Sequence, residues 1–147
     1  MILVDANVLI YAVNADSPHH AAARRWLESA LSTTTQVGFP WIVLLAFLRI
    51  TTRSGIFHSP LTTEKAIGYV DEWLDQPFAH VVAPGEKHWP ILRHLLAASG
   101  TAGNLTTYAH LAALAIEHRA AVASTDNDFR RFVGVEQVNP LDGPQAP

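Results

Sequence analysis

The chain has 147 residues, of which 49% are apolar and 16% charged, and this balance predicts one compact domain rather than a disordered segment. It has no cysteine, which excludes disulfides, thiolate catalysis and cysteine-based zinc sites. The net charge of -3 argues against a generally basic surface that binds nucleic acid, so a polyanionic partner would have to bind through local basic groups or a bound cation.

We do not expect the N-terminal residues to form a targeting segment. Met1 to Asp5 lack a basic region and reach an acidic residue at once, unlike a signal peptide. The longest fully apolar run, Trp41 to Leu48, is too short to span a bilayer. We therefore expect a cytoplasmic protein without a membrane segment.

Short apolar runs alternate with longer amphipathic segments along the chain. In chain order, the predicted elements are strand 2–4, helix 6–13, helix 19–31, strand 36–39, helix 40–52, helix 62–75, strand 79–83, helix 86–98, a helix from 106, strand 120–123, a short helix 129–132 and strand 135–138. This order predicts an α/β fold, a three-layer α/β/α sandwich around a mainly parallel sheet of about four to five strands. We expect residues 1–138 to form a single domain and residues 139–147 a flexible tail.

Acidic residues follow two of the predicted strands. Asp5 ends the first strand, and Asp126 and Asp128 come directly after Ala120 to Ala123. Because parallel strands bring their carboxyl ends to one edge, these acids are expected to converge there. Oxygen ligands of this kind suit Mg²⁺ or Mn²⁺ and the hydrolysis of phosphodiesters. The alternative is that Asp126 caps a helix, with Asp128 in its first turn.

Four separated motifs resemble those of PIN-domain ribonucleases, specifically the VapC toxins of VapBC toxin–antitoxin pairs. They are Leu3-Val4-Asp5-Ala6-Asn7-Val8-Leu9, His19-His20-Ala21-Ala22-Ala23 with Trp26-Leu27, Ala109-His110-Leu111-Ala112-Ala113-Leu114-Ala115, and Ser124-Thr125-Asp126-Asn127-Asp128-Phe129. The resemblance implies a PIN-like fold and a Mg²⁺- or Mn²⁺-dependent endoribonuclease with Asp5, Asp126 and Asp128 as catalytic, metal-binding acids. It also implies a VapB-type antitoxin, an RNA substrate and a homodimer.

Two positions depart from the family pattern. Ala46 stands where many relatives carry Glu, and Tyr108 stands where the helix of relatives begins with Asp. A neutral phenol is a poor substitute for a carboxylate on Mg²⁺. We therefore expect nuclease activity to be impaired by Tyr108. The alternative is a catalytically inactive protein that binds antitoxin or RNA; a phosphatase with Asp5 as nucleophile is disfavoured because Asn7 is not a second acid.

Other side chains give weaker indications. Arg49, Arg53 and Arg130 are candidates for RNA phosphate contacts, with solvated surface roles as the alternative. The histidines, His110 among them, are expected at the surface or at helix ends, because no pair has the spacing of a zinc site. The tryptophans fall on apolar helical stripes, and Trp89 is predicted to point inward.

Overall fold

In the computed structural model, which describes residues 1–55 and 57–143, a parallel sheet lies between layers of helices. Its strands are β1 Ile2–Val4, β2 Val37–Pro40, β3 Ala79–Val82, β4 Ala121–Ala123 and β5 Gln137–Val138. The helices are α1 Ala6–Val13, α2 His20–Leu31, α3 Trp41–Thr51, α4 Thr63–Leu74, α5 His88–Ser99 and α6 Thr106–His118, with short 3₁₀ helices at Gly103–Leu105 and Asn127–Arg131. The predicted fold class and strand positions are confirmed.

The described strands form a five-stranded sheet in the order β3-β2-β1-β4-β5, and every neighbouring pair is parallel. The chain leaves β1 toward β2 and β3 on one side and later returns to β4 and β5 on the other. The strand order therefore reverses between β1 and β4. Open parallel sheets bind ligands in the crevice at the carboxyl ends of the strands where such a reversal occurs.

The core forms where the strands are covered on both faces. Leu3, Val4 and Phe39 of the sheet are almost fully buried, as are Leu9 of α1 and Phe47 of α3. Parallel strands buried on both faces read as continuous apolar runs, which is why Ile2-Leu3-Val4 was recognisable in the sequence. A second cluster, around Leu95, Ala109 and Phe132, joins α5 to α6.

Trp89 does not point inward as predicted. Its side chain is 63% exposed, because the stripe of α5 that packs toward α6 includes Ile91, Leu92 and Leu95, with His88 buried at the helix start. His88 therefore lies on the buried face of α5, where the apolar pattern of the sequence predicted Trp89. Trp73, in contrast, is buried against Phe39 and Phe47.

The chain ends are described in part. Of the tail predicted from residue 139 onward, residues 139–143 are described, with Pro140 buried and the Leu141 N–H donating to Asn139 Oδ1 at 3.0 Å. Residues 144–147 lie outside the described part of the chain. No helix in the described ranges is long and apolar enough to cross a membrane.

Gly38 tests the packing of the central strands. A Cβ atom at this position would lie 2.5 Å from Leu3 Cδ2 and 2.8 Å from Val82 Cγ2, and both neighbours are buried. Gly38→Ala is therefore expected to lower the free energy of unfolding by about 1–3 kcal/mol through overpacking. Gly68→Ala in α4 is the control, because its Cβ meets open space and should stabilise the helix by up to about 1 kcal/mol. Equal effects in denaturant unfolding would contradict this packing.

Candidate active site

The site lies at the carboxyl ends of β1 and β4, where the strand order reverses. Val4 pairs with Ala123, so Asp5 and Ser124 leave the sheet side by side, and the Asp5 N–H donates to the Ala123 carbonyl at 2.9 Å. Asp5 also begins α1, because its Oδ1 accepts from the Ala6 N–H at 2.7 Å. This acid is only 9% exposed.

The hydroxyl of Ser124 links the two acidic segments. Ser124 is fully buried, and its Oγ donates to Asp5 Oδ2 at 2.7 Å and accepts from the Asp126 N–H at 3.1 Å. The Asn7 side-chain amide donates to the same Oγ at 3.1 Å and to Asp5 Oδ2 at 3.3 Å. These bonds fix the orientation of Asp5 relative to the turn that carries Asp126.

Tyr108 closes one side of the cleft. Its hydroxyl donates to Asp126 Oδ2 at 2.5 Å, and its ring packs edge-on against Phe129 with centroids 5.4 Å apart. The other oxygen of Asp126, Oδ1, accepts from the Asp128 N–H at 3.0 Å. Asp126 therefore caps the 3₁₀ helix, as the capping alternative predicted, and it also faces the cleft.

The carboxylates differ in their tendency to ionise. Burial raises the pKa of Asp5, and the charge of Asp126 raises it further, although bonds from Ser124 and Ala6 oppose the shift. Burial also acts to raise the pKa of Asp126, but the hydrogen bonds from Tyr108 and Asp128 outweigh it, so that pKa is lowered. The hydrogen bond to Asp126 and burial raise the pKa of Tyr108 to about 12. At neutral pH the phenol is therefore protonated beside an ionised carboxylate.

Asp128 stands apart from the other two acids. Asp5 and Asp126 line one cavity of about 430 Å³ together with Tyr108 and Thr107, whereas Asp128 is not part of that lining. Its Oδ1 lies 3.3 Å from Arg131 Nε across one turn of the 3₁₀ helix. Of the three predicted acids, the structure brings two into the same cleft and leaves the third beside it.

Ala46 and Arg49 lie on the other wall, on α3. Both residues line a cavity of about 300 Å³ that also includes Asp5 and Thr107. Arg53 is exposed beyond the end of α3, and Arg130 lines a different cavity with Gln137 and Asn139. Of the three candidate arginines, Arg49 thus shares this cavity with Asp5, an acid of the cleft.

The carboxylates of Asp5 and Asp126 are the candidate ligands in the cleft for a divalent cation. Among residues 1–55 and 57–143, no three His, Asp or Glu side chains are placed to hold one ion. Mg²⁺ is nevertheless often bound by one or two carboxylates that leave several water ligands in place. Asp5 and Asp126 fit that minimal requirement, since each carboxylate oxygen has a second lone pair. The Tyr108 hydroxyl on Asp126 Oδ2 competes with such binding.

The expectation for His110 is wrong. It is half-buried rather than at the surface, and its Nδ1 lies 2.9 Å from Nε2 of the buried His88 on the neighbouring helix. Burial lowers the pKa of both rings, which favours their neutral forms. The pair joins α5 to α6, and sequence spacing gave no sign of it because the partners are on different helices.

Gln137 is a further residue that the sequence did not single out. Its side chain reaches from β5 to the turn after β4, where Nε2 donates to the carbonyls of Ser124 at 3.0 Å and Asp126 at 2.7 Å. This contact could not be predicted from the sequence, because nothing in the residues next to Gln137 indicates which distant carbonyls its side chain reaches.

Comparison with known proteins gives consistent similarities. Residues 2–135 match the family model described as PIN domain. Ribonuclease VapC37 of Mycobacterium tuberculosis is 51% identical over 140 residues, which cover 95% of this chain and 97% of that protein. Ribonuclease VapC33 of the same species is 40% identical over 141 residues, covering 96% and 99% of the two chains.

Among solved structures, a similar fold occurs in the crystal structure of VapBC2 from Rickettsia felis bound to a DNA fragment from their promoter. The superposition has a TM-score of 0.68 and covers 95% of this chain and 98% of the other, at 17% sequence identity. At this identity, the likeness concerns the fold.

The contact between Tyr108 and Asp126 can be tested by titration without any ligand. Asp126→Asn removes the negative charge that disfavours tyrosinate, so the pKa of Tyr108 should fall from about 12 toward its ordinary value of 10.0. Because the raised pKa belongs to the folded state, the stability that this contact contributes is present below pH 10 and is lost as the pH rises through about 12. NMR of ¹³C-labelled tyrosine measures the pKa, with Asp16→Asn as a control on an exposed acid. An unchanged pKa in Asp126→Asn would contradict the contact.

Proposed function

The chain belongs to the PIN-domain family, and on that basis we propose that it is the toxin of a VapBC-type toxin–antitoxin pair, an endoribonuclease that hydrolyses RNA phosphodiesters. The observation that carries the proposal is the meeting of Asp5 and Asp126 in one cleft where the strand order reverses. The 51% identity to a ribonuclease over 95% of the chain supports the same activity.

The reaction depends on Mg²⁺ or Mn²⁺ in this proposal, with Asp5 and Asp126 as the protein ligands. When bound, the cation supplies a Lewis acid for the phosphate oxygens and lowers the pKa of a coordinated water. Ser124 and Asn7 hold the Asp5 carboxylate toward the cleft through their hydrogen bonds to Oδ2. Asp128 acts as an accessory acid, in a position beside the cleft where its charge is partly balanced by Arg131.

Arg49 is proposed to hold a phosphate of the RNA. It lines the same cavity as Asp5, and it places a cation beside an otherwise acidic cleft in a chain of net charge -3. A phosphate bound there would be oriented toward the acids. Arg53 and Arg130 are exposed and would contact phosphates farther along the strand.

Tyr108 impairs this site in our proposal. Its hydroxyl occupies Asp126 Oδ2, and its pKa of about 12 keeps the phenol protonated at physiological pH. The phenol adds no negative charge to attract a cation, and Ala46 on the opposite wall adds none either. Cation affinity and the rate of cleavage are therefore lower than with a carboxylate at position 108.

The proposal extends to partners and location. A VapB-type antitoxin is the expected inhibitor, and support comes from the fold likeness to a chain solved in a VapBC assembly. We further propose that the chain forms a homodimer and acts in the cytoplasm, with residues 1–138 as the functional domain.

A second candidate function is binding without cleavage. It is favoured by one feature, the hydrogen bond from Tyr108 to the acid that would hold the cation. In that case the chain would bind antitoxin or RNA and hydrolyse nothing.

Replacement of the buried acid tests the nuclease. Asp5→Ala removes one of two proposed cation ligands, so metal-dependent cleavage of labelled RNA should fall to the level seen with EDTA. Asp16→Ala, which changes an exposed acid in the turn after α1 that lines neither cavity of the cleft, is the matched control and should cleave like the wild type. Cleavage that survives Asp5→Ala would show that the acids are misassigned, and no cleavage by the wild type would favour the binding function.

Substitution at position 108 tests the impairment. Tyr108→Asp adds a charged ligand and should tighten Mn²⁺ binding by about tenfold or more, with faster RNA cleavage, because affinity at oxygen-ligand sites increases with ligand charge. Tyr108→Phe removes only the hydroxyl that occupies Asp126, so its gain should be smaller. Calorimetric titration measures the affinity. If Tyr108→Asp neither binds Mn²⁺ more tightly nor cleaves faster, Tyr108 does not limit the site.

A further inference from the structure

Gln137 reaches across the sheet edge to the turn that carries Asp126. Its Nε2 donates one hydrogen to the Ser124 carbonyl at 3.0 Å and the other to the Asp126 carbonyl at 2.7 Å. The reverse orientation of the amide would set its oxygen against both carbonyl oxygens. The geometry therefore permits only the amide orientation with the nitrogen toward the turn.

The turn depends on β5 for its position. Val122 and Ala123 pair with Gln137 and Val138, and the Ser124 N–H donates to the Val138 carbonyl at 3.0 Å. Beyond Ser124 the main chain leaves the sheet. The hydrogen bond from Gln137 Nε2 to the Asp126 carbonyl holds the chain to β5 two residues beyond Ser124, where the backbone pairing ends.

Every polar atom of Asp126 is thereby engaged. Its N–H is bound to Ser124 Oγ, its two carboxylate oxygens accept from Tyr108 and the Asp128 N–H, and its carbonyl accepts from Gln137. The first three contacts come from groups of the cleft or of the turn itself. Gln137 supplies the contact from outside the cleft, so it fixes the main chain without occupying an atom that faces a ligand.

The side-chain contacts of Gln137 to the turn are made by Nε2 alone. Its Oε1 is buried and has no hydrogen-bond partner among the described residues. An apolar side chain at this position would leave the carbonyls of Ser124 and Asp126 without the donor that Nε2 supplies.

We propose that Gln137 is a positioning residue for the cation site, which holds the turn of residues 124–126 so that Asp126 faces Asp5 in a geometry that Mg²⁺ or Mn²⁺ accepts. This inference rests on the proposed function. Mg²⁺ requires nearly ideal ligand geometry, and hydrogen-bond partners behind metal ligands commonly change affinity by about 10–100-fold.

The test uses two substitutions of similar size. Gln137→Met removes both donors, and Gln137→Glu replaces them with a charged acceptor that faces two carbonyl oxygens. Glu136→Gln, at the adjacent exposed side chain, is the matched control. Three quantities are measured for each: thermal stability, Mn²⁺ affinity by electron paramagnetic resonance, and hydrogen exchange of the Asp126 and Asp128 amides.

We expect Gln137→Met to weaken Mn²⁺ binding by about tenfold, and Gln137→Glu by more, at temperatures where both variants remain folded. Exchange of the Asp126 and Asp128 amides should rise while the amides of β1 stay protected. Glu136→Gln should match the wild type in all three measurements. The combination of faster exchange in the turn with weaker Mn²⁺ binding would support the inference.

Two results would overturn it. If exchange rises and Mn²⁺ affinity is unchanged, Gln137 is merely structural, and if neither changes, it does not hold the turn. Failure of the proposed function has a different signature, since Asp5→Ala would then bind Mn²⁺ as the wild type does. In that case there is no cation site for Gln137 to position, and the inference fails together with the proposed function, whatever the exchange of the Asp126 amide shows.

Discussion

The buried carboxylate of Asp5 is the constraint on which the rest of the site depends. Its place after the central strand leaves it 9% exposed, and it is stabilised there by hydrogen bonds from the Ala6 N–H and the Ser124 hydroxyl. Burial of a charged group without such partners is strongly unfavourable. The hydrogen bond between Ser124 and Asp5 therefore depends on the parallel register of β1 and β4, because a slip by one residue would separate the two side chains.

The second acid is held in a different way. Asp126 is ionised and hydrogen-bonded to Tyr108, whereas the pKa of Asp5 is raised by burial. The two carboxylates repel one another unless a cation or proton lies between them. The hydrogen bond from Tyr108 stabilises the ionised form of Asp126, while the charge of Asp126 still raises the pKa of Asp5. The pair of acids therefore differs in how each carboxylate is stabilised: Asp126 by the phenol, and Asp5 by Ser124 and Ala6.

Features with a local signal were predictable from the sequence, and contacts between distant elements were not. The run Ile2-Leu3-Val4 followed by Asp5 indicated a buried strand with an acid at its end, and the sheet confirms that strand. Trp89 was misplaced because helical periodicity does not say which of two adjacent stripes meets a neighbour. The contacts of His110 with His88 and of Gln137 with the turn join residues on separate elements, so no spacing in the chain encodes them.

The most direct test of the central claim is a crystal structure of the wild-type protein soaked with Mn²⁺. We predict an anomalous density peak in the cleft, within coordination distance of carboxylate oxygens of both Asp5 and Asp126, with the Tyr108 hydroxyl displaced from Asp126 Oδ2. A peak of low occupancy there would agree with the proposed impairment. An anomalous peak only at histidines such as His88 and His110, with the bond from Tyr108 to Asp126 intact, would contradict the account.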